Sequence, residues 1–285
     1  MNAPRTLTLL THQYPEQTSE AVHEVIERAC TNGIEVRLSS DEVRKHGLGE
    51  REGCVLGAEP DGETELVMVL GGDGTILSAL RTFAGRRAPV FAINYGAIGF
   101  LSTVDHGQLA KGIDRALTGD YELLEMPALA VEVDGERRLG VNDISFHRRA
   151  HSRVAELEYL VGNEQLGHVR CDGLVVSTPV GSTGYNLANG GPVLAWGVEG
   201  YVVSFIAPHT LTARALVVAP GDTLTVLNTS ERDDVEVTTD GRTVTDLQPR
   251  RQIDVSFKDN EVLLAQIPGE TFYHRFRDKF GRLAY

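Results

Sequence analysis

The chain has 285 residues, 41% hydrophobic and 24% charged, a balance that supports a folded core and excludes a disordered or coiled-coil polypeptide. Its 40 acidic residues outnumber 27 basic ones, and the resulting net charge of −13 repels phosphate backbones and argues against sequence-independent nucleic-acid binding. No apolar run reaches the roughly 18 residues that span a bilayer, and Cys30, Cys54 and Cys171, without a CxxC pair, suit neither a disulfide framework nor a zinc cluster.

The apolar run at 6–10 is strand-like and too short for an export signal, so a reducing, cytoplasmic setting is expected. Residues 20–30 carry Ala21, Val22, Val25, Ile26, Ala29 and Cys30 at helical spacing, with Asn32 and Gly33 as the stop. Strands are predicted at 34–38, 66–70 and 89–94, and helices at 76–83 and 109–117. Strands interleaved with helices imply a parallel sheet covered on both faces.

The pattern changes near Met126 and Pro127. From there short strands dominate, at 130–133, 155–161, 174–177, 201–206, 224–227, 235–239 and 262–267. Asp134-Gly135, Gly162-Asn163, Gly221-Asp222 and Asp240-Gly241 supply turns between them. The join is poor in Pro, Ser and Gly, so two domains with a cleft between them are expected, an α/β domain over 1–125 and a β-rich domain over 126–267, with 268–285 returning to the first.

Directly after the apolar run at 66–70 come Gly71, Gly72, Asp73, Gly74 and Thr75, followed by a helical pattern. Glycines let the backbone turn tightly and approach a ligand, and a helix N-terminus offers unpaired amides to phosphate. A carboxylate in that cradle needs a metal or a hydroxyl to handle. Residues 172–192 read DGLVVSTPVGSTGYNLANGGP, a turn dense in small residues and hydroxyls at Thr183 and Gly184, with Tyr185 offering a flat face to a base or ribose. Asn142 and Asp143 can grip ribose hydroxyls or an adenine edge, and serve equally as a plain turn. Only Lys45, Lys111, Lys258 and Lys279 are lysines, so anion binding must lean on arginines and backbone amides.

Together with the segment at 208–211, PHTL, these blocks resemble the NAD kinases. The resemblance implies an α/β plus all-β fold, with an N-terminal Rossmann-like domain and a C-terminal β-sandwich-like domain. It implies transfer of the γ-phosphoryl of ATP, or a phosphoryl of polyphosphate, to the adenosine-ribose 2′-hydroxyl of NAD, with a divalent ion such as Mg²⁺ carried by ATP and no metal site of the protein's own. Asp73 would be the catalytic residue, with Gly71, Gly72, Gly74 and Thr75 at the phosphates. Asn142, Asp143, Arg170, Asp172, Thr183, Gly184, Tyr185 and Asp240 would hold the dinucleotide, and the chain would form a homodimer or homotetramer.

Departures from the family pattern are Asp143 for Glu, Val180 for a hydroxyl residue, Gly184 for Ala, Ala188 for Ser and Asn189 for Ala. Asn186 and Asn189 offer replacement donors. Two rival functions stay open: a lipid or sugar kinase with a related glycine loop, and a silent NAD or NADP sensor. His147, Arg148, Arg149, His151 and Arg153 form a basic cluster that reads as a phosphate contact or as a solvated loop or subunit contact. Arg170 could tune the choice between NAD and NADH or be a surface arginine, Asp240 is by default a hairpin turn, and His209 reads as a packed or hydrogen-bonded structural histidine.

Overall fold

The computed structural model describes residues 3–60, 62–97 and 99–281. The chain divides into two units, one made of residues 1–125 with 262–285, the other of residues 126–261.

In the first unit the apolar runs form β1 (Thr6–Thr11), β2 (Glu35–Leu38), β3 (Cys54–Leu56), β4 (Leu66–Gly71), β5 (Val90–Asn94) and β6 (Val104–Asp105). All pair in parallel, in the order β6-β5-β4-β1-β2-β3. Every residue of β4 and β5 is buried, because helices cover both faces of a parallel sheet and leave no polar side. The helices are α1 (Ser19–Thr31), α2 (Ser40–His46), α3 (Asp73–Thr82) and α4 (Leu109–Thr118). Helix α1 buries Ala21, Val22, Val25, Ile26 and Ala29, and Gly33 at φ +72° redirects the chain after it.

The chain builds β1, β2 and β3 toward one edge and then returns to place β4 on the other side of β1. This reversal of strand order makes the carboxyl ends of β1 and β4 the topological switch point, where open α/β sheets hold ligands. The His12 amide donates to Leu70 O there at 2.9 Å, and the glycine loop follows immediately.

Sequence periodicity missed α2, β3 and the two-residue β6. Helix α2 has no apolar stripe to read, since its buried residue is Glu42. Ser39 and Glu42 nevertheless have the spacing of a capping box, and Ser39 Oγ accepts the Glu42 amide at 3.3 Å. The Glu42 carboxylate turns inward, accepting the Thr11 amide at 3.0 Å, Thr11 Oγ1 at 2.6 Å and Lys45 Nζ at 2.8 Å. His46 Nε2 stands 2.8 Å from the same Thr11 hydroxyl. This cluster pins the end of β1 where it borders the glycine loop.

The second unit begins within β7 (Glu122–Val133), which pairs with β8 (Glu136–Gly140). It continues through β9 (Asp143–Arg148), β10 (Ala155–Val161), β11 (Glu164–Cys171), β12 (Gly173–Ser177), the short helix α5 (Tyr185–Ala188), β13 (Tyr201–Ile206), β14 (Leu216–Val218), β15 (Leu224–Asn228), β16 (Val235–Thr239), β17 (Arg242–Leu247) and β18 (Gln252–Gln266). One antiparallel sheet runs β14-β13-β12-β9-β16-β17, and a second layer runs β11-β10-β15-β18. Ile144, Phe146, Val176, Val203 and Val237 of the first share a core with Leu157, Val169, Val226 and Val255 of the second, so the layers form a sandwich. The α/β plus all-β fold is therefore the one present. Three of the four expected turns carry two consecutive positive φ angles: Asp134 and Gly135 (+53° and +76°), Gly162 and Asn163 (+58° and +71°), Asp240 and Gly241 (+46° and +73°). That is the primed-turn geometry that matches strand twist.

Glu42→Ala leaves the Thr11 amide and the Lys45 ammonium without their buried acceptor and should lower the unfolding free energy by about 2 to 4 kcal/mol, measured by urea denaturation.

Candidate active site

In the first unit, Gly72 caps α3 with extended backbone and Asp73 opens the helix. Each glycine of the loop has its own physical reason. A Cβ on Gly71 would fall 2.7 Å from Thr75 Cβ, and one on Gly72 would lie 3.1 Å from the Cα of Gly96, so these two make room for neighbouring protein. Gly74 is exposed and would meet nothing within 4 Å. No internal contact demands that glycine. Its bare surface keeps the first turn of α3 open to something from outside, beside amides that no helical carbonyl can satisfy.

The Asp73 carboxylate is fixed by two successive amides, Phe100 N to Oδ2 and Leu101 N to Oδ1, both at 3.0 Å. A carboxylate accepts about four hydrogen bonds, so each oxygen keeps capacity for a ligand hydroxyl. The loop that supplies these amides is held in turn by Arg275, a residue that sequence reasoning missed. Arg275 lies on α6 (Phe272–Phe280), is 7% exposed, and donates to Phe100 O at 2.9 Å, to Ser102 O, to Gln266 Oε1 at 2.6 Å and to Glu270 Oε2 at 2.5 Å. Burial pulls its pKa below the ordinary arginine value, against the pull of Glu270 and Asp73. Phe100 also packs edge-on against Phe272 and Phe280, with centroids 6.1 and 5.8 Å apart.

In the second unit Asp240 performs the equivalent task. Its Oδ1 accepts Asn142 N at 2.7 Å and Asp143 N at 3.2 Å, and its Oδ2 accepts Val141 N at 3.1 Å. The expected hairpin turn is present, and its aspartate also clamps the turn that carries Asn142 and Asp143. Gly181 presses on the same turn so closely that a Cβ would fall 2.0 Å from Asn142 O. Thr178 N donates to that oxygen at 2.9 Å, and Thr178 Oγ1 both donates to Val141 O at 2.7 Å and accepts from Gly181 N at 3.0 Å. Asn142, Asp143, Asp240 and the turn from Thr178 to Tyr185 thus form one constellation.

Strand alternation places Asp143, Ser145 and His147 of β9 on the face opposite the core residues Ile144 and Phe146. Asp143 is 7% exposed, and burial, reinforced by the charge of Asp240, pushes its carboxyl up to about 7. Ser145 Oγ stands 2.8 Å from His147 Nε2 and 2.7 Å from Thr238 Oγ1. The His147 ring stacks on Tyr185 with centroids 5.7 Å apart and planes 12° apart, and burial lowers the histidine's pKa. Tyr185 remains 37% exposed, and its phenol is raised by burial and then by Asp143 and Asp172.

Other candidates fall differently. Asp172 accepts Arg148 Nε at 2.7 Å, while Arg170 pairs with Glu156 at 3.2 Å and is turned to that partner. Arg149 pairs with Glu236 at 3.1 Å and with Asp246. Arg148 and Arg149 of the basic cluster are therefore neutralised within their own unit and make no open phosphate patch. Thr183 Oγ1 donates to Val180 O at 3.2 Å, and the Gly184 amide donates to Gly181 O at 2.8 Å. The reading of Asn186 as a replacement donor is corrected: it is fully buried, and its Nδ2 donates to Ser182 O at 3.0 Å and Pro192 O at 2.9 Å, which uses both protons to close the loop. His209 is exposed, not packed, and its amide donates to Arg170 O at 2.7 Å. Among the described residues no group of three or more His, Cys, Asp or Glu side chains could hold a metal ion, and no helix is long and apolar enough to cross a membrane, which says nothing of a β-barrel.

A glycine loop leading into a helix N-terminus at the switch point of a parallel sheet defines a phosphate- or nucleotide-binding class of protein. Family models agree: the ATP-NAD kinase N-terminal domain matches residues 7–121 and the ATP-NAD kinase C-terminal domain residues 141–267. The chain is 32% identical over 267 residues to an NAD kinase of Trichlorobacter lovleyi, covering 92% of this chain and 91% of the relative. It is 33% identical over 229 residues to an NAD kinase of Gemmatimonas aurantiaca, covering 78% of each. In fold it is similar to a yeast NADH kinase solved with NADH (TM-score 0.88, 21% identity, 100% of this chain and 91% of that one) and to an NAD kinase of Archaeoglobus fulgidus in complex with ATP (TM-score 0.73, 22% identity, 97% of each). The chain belongs to the NAD kinase family.

Two measurements check this geometry. Arg275→Lys keeps a charge but loses the fork that reaches several acceptors at once, and should cost about 1 to 3 kcal/mol in urea unfolding. Folding raises the Asp143 pKa from 3.8 to about 7, so the native state holds a proton that the unfolded chain releases, and stability is lost as pH rises through that interval. Asp143→Asn should therefore be more stable than the parent at pH 8 by on the order of 2 to 4 kcal/mol, with no gain near pH 4.

Proposed function

We propose that the protein transfers the γ-phosphoryl of ATP to the 2′-hydroxyl of the adenosine ribose of NAD, producing NADP and ADP. The observation that carries this reading is the Asp73 carboxylate, oriented by two amides at the mouth of a glycine loop whose Gly74 face is bare. Phosphoryl transfer asks little covalent chemistry of a protein and much positioning. In this reading Asp73 accepts the hydrogen bond of the 2′-hydroxyl, orients its oxygen, and takes the proton as the new O–P bond forms and the bridging P–O bond breaks. The α3 amides, with Gly72, Gly74 and Thr75 around them, receive the phosphate oxygens.

Asn142, Asp143, Tyr185 and Asp240 form the dinucleotide grip in the second unit, with Asp172, Thr183 and Gly184 beside them. A carboxyl poised near neutrality at Asp143 can donate to, or accept from, a ribose hydroxyl or base edge. Arg170, paired with Glu156, shapes the choice between oxidised and reduced cofactor through the pocket wall and carries little net charge into it. A divalent ion such as Mg²⁺, carried with ATP, would neutralise triphosphate charge. Assembly as a homodimer or homotetramer in the cytoplasm, with neither nucleic acid nor membrane as a partner, completes the proposal.

Incubating the purified chain with Mg²⁺, NAD and ATP and assaying NADP tests it directly, with polyphosphate and NADH arms to define donor and acceptor. Asp73→Asn should bind NAD by calorimetry as the parent does while turnover falls by about 10² to 10⁴, the contribution of a positioned base. Parental turnover in that variant would remove Asp73 from the chemistry.

A further inference from the structure

Cys30 and Cys54 are separated by 24 positions, yet the fold sets their sulfurs 4.0 Å apart. Cys30 sits in the last turn of α1 and Cys54 opens β3, the edge strand of the parallel sheet. Both backbones are anchored close by: Ile34 N donates to Ala29 O at 3.0 Å and Val36 N to Gly53 O at 2.9 Å. The residue between them is built for the approach, because a Cβ on Gly53 would lie 2.8 Å from Cys30 Sγ. Both thiols are partly exposed and help to line a surface pocket of about 600 Å³ whose rim includes Glu35 and Glu52.

We propose that Cys30 and Cys54 are a redox modification site that closes to an intramolecular disulfide on meeting a small neutral peroxide. A disulfide is about 2.05 Å long, so closure asks for about 2 Å of approach shared between two side chains. Burial, and then the neighbouring Cys30, push the Cys54 thiol up to about 11, with Arg51 pulling the other way. Cys54 therefore keeps its proton and suits the resolving thiol, 4.0 Å from the sulfur of Cys30. One thiolate attacks a peroxide oxygen, the O–O bond breaks, and the sulfur becomes a sulfenic acid while the other oxygen leaves as water after protonation. The second sulfur then attacks the sulfenic sulfur, the S–O bond breaks, and a second water leaves with the remaining thiol proton. Two thiols are oxidised and one peroxide is reduced to two waters. The glutamates at the rim select against an anionic oxidant such as glutathione disulfide.

The third cysteine provides an internal control. Cys171 is fully buried in the sandwich, and burial pushes its thiol up to about 12. The test treats the reduced, full-length chain with a few equivalents of hydrogen peroxide, then counts thiols in denaturant and records intact mass and peptide maps. The expected result is loss of two of the three thiols, a mass lower by about 2 Da, a peptide cross-link joining positions 30 and 54, and full reversal by dithiothreitol. The bond should raise the melting temperature by roughly 5 °C, since it closes a loop of the denatured chain. Cys54→Ser should give oxygen adducts on Cys30 and no such cross-link. Oxygen adducts without a cross-link in the parent chain, or a cross-link between two chains, would overturn the proposal. An equal rate with glutathione disulfide would overturn the preference for a neutral oxidant.

Discussion

A carboxylate that accepts successive backbone amides organises both units. Asp73 takes the amides of Phe100 and Leu101, and Asp240 takes those of Val141, Asn142 and Asp143. Asp73 opens α3 and reaches the amides of a loop 27 and 28 positions on, while Asp240 opens a hairpin turn and reaches the turn that carries Asn142. The two acids differ in what remains. Asp240 spends three contacts on holding its neighbours, whereas Asp73 spends two and stands next to a bare glycine. The first is a brace, and the second is a brace with spare capacity.

Behind each clamp lies a polar support that comes from distant parts of the chain. Arg275 grips the loop on which Asp73 rests, and Glu42 fixes the end of β1 beside it. On the polar face of the sandwich, Ser145 and Thr238 hold His147, and His147 lies flat against Tyr185. The stacked rings, with planes 12° apart, fix the tilt of the half-exposed Tyr185. Asp143 sits in this support at a cost, a carboxyl kept from full ionisation by burial. Such local instability is common where a site is shaped for a ligand.

The parts of the fold that sequence revealed are those where one period dominates. The buried strands β4 and β5 and the stripe of α1 declare themselves because both faces, or one face, are uniformly apolar. Apart from β9, the strands that went unread, β3, β6, β8, β11, β14 and β17, each pair with a single neighbour at a sheet edge, where water replaces half the contacts and the alternation fades. Strand β9 is interior but carries His147 and Arg148 at its end, and these polar residues hid the alternation of Ile144 and Phe146. Within the candidate site, the glycine loop was legible from local chemistry alone. Arg275 was not, because the carbonyl it serves is 175 positions away, and no local pattern distinguishes it from the surface arginines near it. Asn186 misled for the opposite reason: an amide in a loop looks free until the loop is seen to close around it.

The matching of arginines with acids has a further meaning for how the molecule meets its ligands. Arg148, Arg149 and Arg170 are each matched to carboxylates of their own unit, and the chain as a whole is strongly acidic. Long-range attraction therefore does not draw an anionic nucleotide in. Positive charge gathers elsewhere, where Lys111, Arg115 and Lys279 line one surface pocket of the first unit. A polyanion therefore meets repulsion over most of the surface and attraction at a few local points.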